Sequence, residues 1–106
     1  MEIIRGTTPT IVITITNEMD LTLVQEVWVY ISQQKKVKID KQIDDVTIDA
    51  EHNKITVKLS QNDTLNLKAN QDTLFQIRML LNDDTAIATI AENISIEEIY
   101  KEGVIT

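Results

Sequence analysis

The segment Thr10-Ile11-Val12-Ile13-Thr14-Ile15-Thr16 is built from β-branched residues, and it alternates. Ile11, Ile13 and Ile15 fall on one face and Thr14 and Thr16 on the other, which is the two-residue period of a half-buried strand. Branching at Cβ stiffens χ1 and crowds a helix, so such a run belongs to a pleated backbone. The same period recurs along the chain. Leu23 to Ser32 places Val27, Val29 and Ile31 on one face and Glu26, Trp28 and Tyr30 on the other. Partial apolarity on both faces predicts a central strand. Thr73 to Leu81 is the strongest strand, with Phe75, Ile77, Met79 and Leu81 sharing one face.

Between these lie shorter elements. Asn17 to Asp20 reads as a polar turn. Gln33 to Lys36 reverses the chain into Val37-Lys38-Ile39-Asp40-Lys41, whose charges fit an edge or solvent-facing strand. Val46 to Ile48 and Lys54 to Leu59 form a hairpin closed by the loop Asp49 to Asn53. Ser60 followed by Asp63 resembles a helix-capping arrangement, with Asp in place of Glu, and predicts one short helical turn. Asn82-Asp83-Asp84 turns tightly into Thr85 to Ala91, whose small residues predict close approach to another layer. Asn93 to Glu97 is a last short strand, competing with a helical turn over Ile96 to Tyr100.

Seven to eight short strands without a long amphipathic helix indicate an all-β sandwich or barrel. The order favours an immunoglobulin-like antiparallel β-sandwich with one short helical turn. An early strand bears the single Trp, and the helical turn precedes the penultimate long strand, as in immunoglobulin-like domains. With 106 residues, the chain is expected to form a single domain over 1–106. Two Gly and one Pro are few for so many reversals, so Asn and Asp must build the turns.

The residue inventory removes most chemistries. No Cys means no disulfide, thiolate metal site or cysteine nucleophile. His52 is the single histidine and sits in a predicted loop, where it reads as a solvated turn residue. Ser32, Ser60 and Ser95 lie outside any Gly-x-Ser-x-Gly context. Gly6 and Gly103 cannot make a phosphate-cradling loop. Asp44, Asp45 and Asp49, and Asp83 with Asp84, offer carboxylates, but they lack the spacing and Gly of a calcium loop and read as turn formers. No catalytic, cofactor-binding or metal residues are therefore assigned, and the chain is expected not to be an enzyme. A net charge of −7 argues against nucleic acid. The opening residues lack a signal-peptide pattern, and no stretch is long and apolar enough to span a bilayer.

Trp28, Tyr30 and Arg78 remain. On residue type Trp28 is assigned to the core, with Arg78 snorkelling at its edge. If the three instead share an exposed sheet face, they form a sugar-binding or protein-binding patch.

Three stretches carry a resemblance over roughly residues 5–97. They are Arg5-Gly6-Thr7-Thr8-Pro9-Thr10 leading into the first alternating strand, Ile55 to Leu65, and Gln76-Ile77-Arg78-Met79 with the Asp-containing turn and small-residue strand that follow. In these the chain resembles small proteins encoded in tail and baseplate gene clusters of phages and prophages of low-GC Gram-positive bacteria. It is similar in style to the immunoglobulin-like N-terminal domain of upper-baseplate proteins. Asp83-Asp84 stands where such proteins often carry Gly. The resemblance implies a non-enzymatic structural or assembly component acting through protein–protein contacts with other tail or baseplate proteins. It also implies symmetric homo-oligomers, synthesis in the bacterial cytoplasm and residence in the virion. A carbohydrate- or surface-binding module is the alternative.

Overall fold

A computed structural model describes residues 1–15, 19–89 and 91–106. Nine strands are present among them: β1 (Glu2–Ile4), β2 (Thr10–Thr14), β3 (Val24–Gln33), β4 (Lys36–Gln42), β5 (Val46–Asp49), β6 (Lys54–Lys58), β7 (Thr73–Leu81), β8 (Ala86–Ala88) and β9 (Glu92–Glu97). One short α-helix, α1 (Gln61–Leu65), joins β6 to β7, and two 3-10 turns, Leu21–Leu23 and Ile43–Asp45, add to the single helical turn expected. The strands form two sheets. The larger runs β1-β9-β7-β3-β4 with β8 added beside β7, and the smaller runs β2-β6-β5. Successive strands cross between the sheets at β1 to β2, at β2 to β3, at β4 to β5, and at β6 to β7.

This is the strand order of an immunoglobulin-like sandwich. β2, β6 and β5 take the places of B, E and D, while β3, β7 and β9 take those of C, F and G, with β4 as C′. The all-β sandwich is as expected from the sequence, with two differences of detail. Among the described residues there are nine strands, and one pairing, β1 with β9, is parallel. Met1 to Ile4 is too short to display a period, so β1 leaves no pattern to read.

The core is filled by alternate residues of both inner faces. Val27, Val29, Ile31, Phe75, Ile77 and Met79 from the larger sheet meet Ile11, Ile55 and Val57 from the smaller, all at 3% exposure or less. The inward set of β7 is the one that its alternation predicts. β3 is flanked by β7 and β4, as its two partly apolar faces require.

Local chemistry explains the reversals. Ser60 Oγ accepts from the Asp63 amide at 3.1 Å, and Asp63 Oδ2 accepts from the Ser60 amide at 2.8 Å, which makes the capping box expected for α1. The β3–β4 hairpin is closed by Gln34 and Lys35, at φ 50° and 64°, the left-handed pair of a type I′ turn. Neither residue is Gly or Asn, so the turn carries backbone strain. Asn53, Asn70 and Asp84 also have positive φ, in keeping with turns built from Asn and Asp.

The last strand expected over Asn93 to Glu97 is present within β9, and the competing helical turn over Ile96 to Tyr100 does not form. Two other local expectations are revised. The small residues Ala86 and Ala88 are exposed, so they mark a low margin of the sheet and not an approach to another layer. Gln33 closes β3 and is buried, whereas its polarity placed it in the turn. The predicted Asn17 to Asp20 turn lies partly outside the described residues, as do the ends of the strands read at Thr16 and Ile90.

Candidate functional site

Strand parity decides where Trp28 points. Its neighbours Val27 and Val29 are fully buried, so Trp28 must face the other side of the larger sheet, where it is half-buried. The core assignment of Trp28 is therefore overturned. Arg78, likewise, is exposed on the outer face and not snorkelling from the core. Trp28 lies opposite Arg78 of β7 on one side and Gln42 of β4 on the other. Tyr30, one pleat along, lies between Gln76 and Asp40. Residues opposed in this way have Cβ atoms about 4.5–5.5 Å apart.

The rest of the face follows from the same registers. Leu80 is opposed by Glu26 and Ala86, Arg78 by Ala88, and Ser32 lies between Val37 and Leu74. Val37 is 56% exposed and Leu74 40%, both high for aliphatic side chains. Gln76 Nε2 donates to the Thr89 carbonyl at 2.9 Å, which fastens the β8 margin to the sheet. The result is a broad face with Trp28 and Tyr30 at its centre and a cation, Arg78, beside them. Trp, Tyr and Arg are the residues that most often dominate protein–protein binding energy.

The remaining acidic and histidine positions are explained by local bonding. His52 Nδ1 meets Asp49 Oδ2 at 2.8 Å in the exposed β5–β6 loop, and this bond holds the Asp49 carboxyl below the usual aspartate range. Asp83 Oδ1 accepts from the Thr85 amide at 3.0 Å, and bonding to Thr85 likewise lowers its pKa. Asp45 Oδ2 accepts from the Gln42 amide at 3.0 Å. Among the described residues, no group of three or more His, Asp or Glu is placed to hold a metal ion. No helix among them is long and apolar enough to cross a membrane.

Arg5, like Gln33, is a polar side chain whose bonding the sequence does not reveal. Its guanidinium donates to the Leu67 carbonyl through Nε at 2.6 Å and to the Leu65 carbonyl through Nη2 at 3.0 Å. It also pairs with Glu98 and Glu102, whose bonds raise its pKa above the ordinary arginine value. Gln61 holds the same tail further on, donating to the Ile105 carbonyl at 2.9 Å and accepting from its amide at 2.8 Å. An open groove of about 460 Å³ lies there, walled by Lys58, Gln61 and Val104. Its lining holds one cation and no carboxylate. It lies where β6 runs into α1, and its lining includes neither Trp28 nor Arg78.

No protein-family model matches the chain, and no curated protein matches it.

Proposed function

We propose that this chain is a non-enzymatic structural or assembly component of a phage or prophage tail or baseplate, docking to another tail protein through the outer face of the larger sheet. The observation that carries the docking reading is the outward placement of Trp28, Tyr30 and Arg78 on one rigid face. A sheet buried on its other side holds these side chains in fixed register, so little order is lost on binding. Large aromatic area beside a fork-shaped cation suits a protein surface. The virion setting rests on the resemblance of residues 5–97 to tail-region proteins.

Mass spectrometry of purified particles from an induced culture of the source bacterium tests the setting. Stoichiometric recovery with tail proteins is the expected result. Full coverage of the other tail proteins without this chain removes it as a permanent part. Co-purification with those proteins tests the face. Trp28→Ala should abolish it while the domain still melts cooperatively.

The same placement of Trp28 favours carbohydrate or surface binding as a second reading, because an outward aromatic ring stacks on a sugar. Titration of cell-wall oligosaccharides against Trp28 fluorescence separates the two. Saturable quenching that is lost in Tyr30→Ala would favour the sugar.

A further inference from the structure

Among the described residues the two sheets have five outer strands, and four of them are blunted against pairing. β4 carries Lys36, Lys38, Asp40 and Lys41; β1 has three residues and begins with Glu2; β5 has four and ends in Asp49; β8 has only three. Charge and shortness are the usual protections of a sheet edge. β2 has neither. Its five residues, Thr10-Ile11-Val12-Ile13-Thr14, are all β-branched and uncharged. The place beside it, where an immunoglobulin-like sandwich can carry strand A, holds no strand among the described residues, because β1 pairs with β9 in the other sheet.

The backbone of β2 is therefore half used. The Leu59 amide donates to the Pro9 carbonyl, and the Ile15 amide to the Asn53 carbonyl. Alternation along the β2–β6 ladder then directs the main-chain groups of Ile11 and Ile13 to β6 and those of Thr10, Val12 and Thr14 away from it. On the outward edge, three N–H and three C=O groups point where a further strand would lie.

The sequence of β2 reads the same in both directions about Val12. We propose that β2 pairs antiparallel with β2 of a second copy across a two-fold axis at Val12, joining the two three-stranded sheets into one. In that register Val12 faces its own copy, Thr10 faces Thr14, and Ile11 faces Ile13. The outward groups of Thr10, Val12 and Thr14 all find partners, making about six main-chain bonds. Such a contact is isologous, so it closes as a dimer and cannot extend into a fibre. Thr–Thr and β-branched pairs directly opposite each other are favourable.

Charge fits a second copy. Each chain carries −7, yet the seam itself is neutral. The nearest like charges in a shared row are Lys58 of one copy and Lys54 of the other, since these residues flank Thr10 and Thr14. They stand three strand spacings apart, about 14 Å, beyond the screening length of about 8 Å at physiological ionic strength. A five-residue seam is small beside the roughly 1,200 Å² of a stable interface. The dimer is thus weak in free solution and strengthened wherever copies are held close together. It uses neither Trp28 nor Arg78, so it stands or falls apart from the docking reading.

The test uses sedimentation over a concentration series reaching millimolar, with cysteine crosslinking as the sensitive readout. The mass should rise from 12.1 kDa towards twice that value. Val12 is 53% exposed, so Val12→Lys and Val12→Glu should both fold, and circular dichroism melts check this. Each alone should stay monomeric, since like charges would oppose each other on the axis, and a mixture of the two should dimerise again. Val12→Cys, in a chain with no other Cys, should form an intermolecular disulfide under mild oxidation far faster than Thr47→Cys on β5. A mass of 12.1 kDa throughout together with equal crosslinking of the two cysteine variants overturns the proposal. So does a dimer that survives Val12→Lys. If the charged variants fail to fold, the crosslinking comparison alone decides.

Discussion

Replacing Gln33 with Met should cost about 2–4 kcal/mol of stability. Gln33 is 1% exposed at the end of β3 and bonds to the loop that leads from α1 to β7. Nε2 donates to the Lys68 carbonyl at 2.7 Å and to Thr73 Oγ1 at 2.9 Å, and Oε1 accepts from the Lys68 amide at 2.9 Å. Each such bond contributes about 1 kcal/mol net, and removing one partner also strands the other. Both main-chain groups of Lys68 would lose their bonds to Gln33. Thr73 is better placed, because its hydroxyl also donates to the Gln71 carbonyl at 3.0 Å. Met has nearly the length of Gln and no strong donor or acceptor, so the change tests bonding and leaves volume almost constant.

For a chain of this size the loss corresponds to a fall in Tm of roughly 8–16 °C. Calorimetry gives that number, and urea melts followed by Trp28 fluorescence give the free energy independently. Hydrogen exchange at the Lys68 amide supplies the decisive detail, since its protection should vanish in the variant. A fall of under about 3 °C with the Lys68 amide still protected would refute the reasoning. Gln33→Glu should be worse at pH 7, because it buries a carboxylate beside the Lys68 carbonyl. Burial raises the pKa of the introduced carboxyl, so this penalty should shrink as the pH falls through that raised value.

Ile77→Asp puts an unpaired charge at a position of 0% exposure in the middle of β7, and should abolish the cooperative melt; a melt retained near the wild-type Tm would contradict the placement. Gln34→Asn with Lys35→Gly relieves two left-handed residues and should add about 1 kcal/mol or more, read as a higher urea midpoint at unchanged slope. Burial would raise the Asp63 pKa, but bonds from the Ser60 amide and Lys41 outweigh it and leave the carboxyl below its ordinary value. Its contribution is complete above about pH 4 and lost as the pH falls through the depressed value. Asp63→Asn should therefore cost about 1 kcal/mol at pH 7, and the cost should shrink as the pH falls through the depressed value; a cost that stays constant on acidification would count against the ion pair. His52→Ala should leave the Tm nearly unchanged, since its bond to Asp49 is exposed.

What could be read from the sequence divides along a physical line. Period-two alternation needs several residues to show itself, so β7 and β2 were legible, and the three-residue β1 was not. The capping box was legible because it is a local exchange between Ser60 and Asp63. Gln33 and Arg5 escaped because their partners lie 35 to 97 residues away, and an isolated polar residue in sequence looks like surface. Trp28 is the instructive case. Alternation already put it with Glu26 and Tyr30, opposite Val27 and Val29. Its size and apolarity, with the buried Trp of antibody domains as analogy, argued for the core instead. Parity was the stronger constraint, because one misplaced residue would turn every neighbour on the strand to the wrong face.

That constraint also separates the two surfaces on which function can rest. A strand can bind through its side chains or through its free backbone edge, and a sandwich offers each in a different place. On the larger sheet the charged edge of β4 discourages strand addition, while the face beside it carries Trp28, Tyr30 and Arg78. On the smaller sheet the relation is reversed. The outer side chains of β2 are only Thr10, Val12 and Thr14, too small to anchor a partner, but among the described residues no strand pairs with their main-chain groups along a neutral edge. Side-chain docking on one sheet and strand pairing on the other can therefore act at once without competing. A two-fold dimer joined through β2 would display two copies of the Trp28 face, and two weak contacts to a symmetric partner then reinforce each other through effective concentration. If both surfaces are used, disrupting β2 with Val12→Lys should weaken capture by an oligomeric partner and leave capture by its monomeric form unchanged.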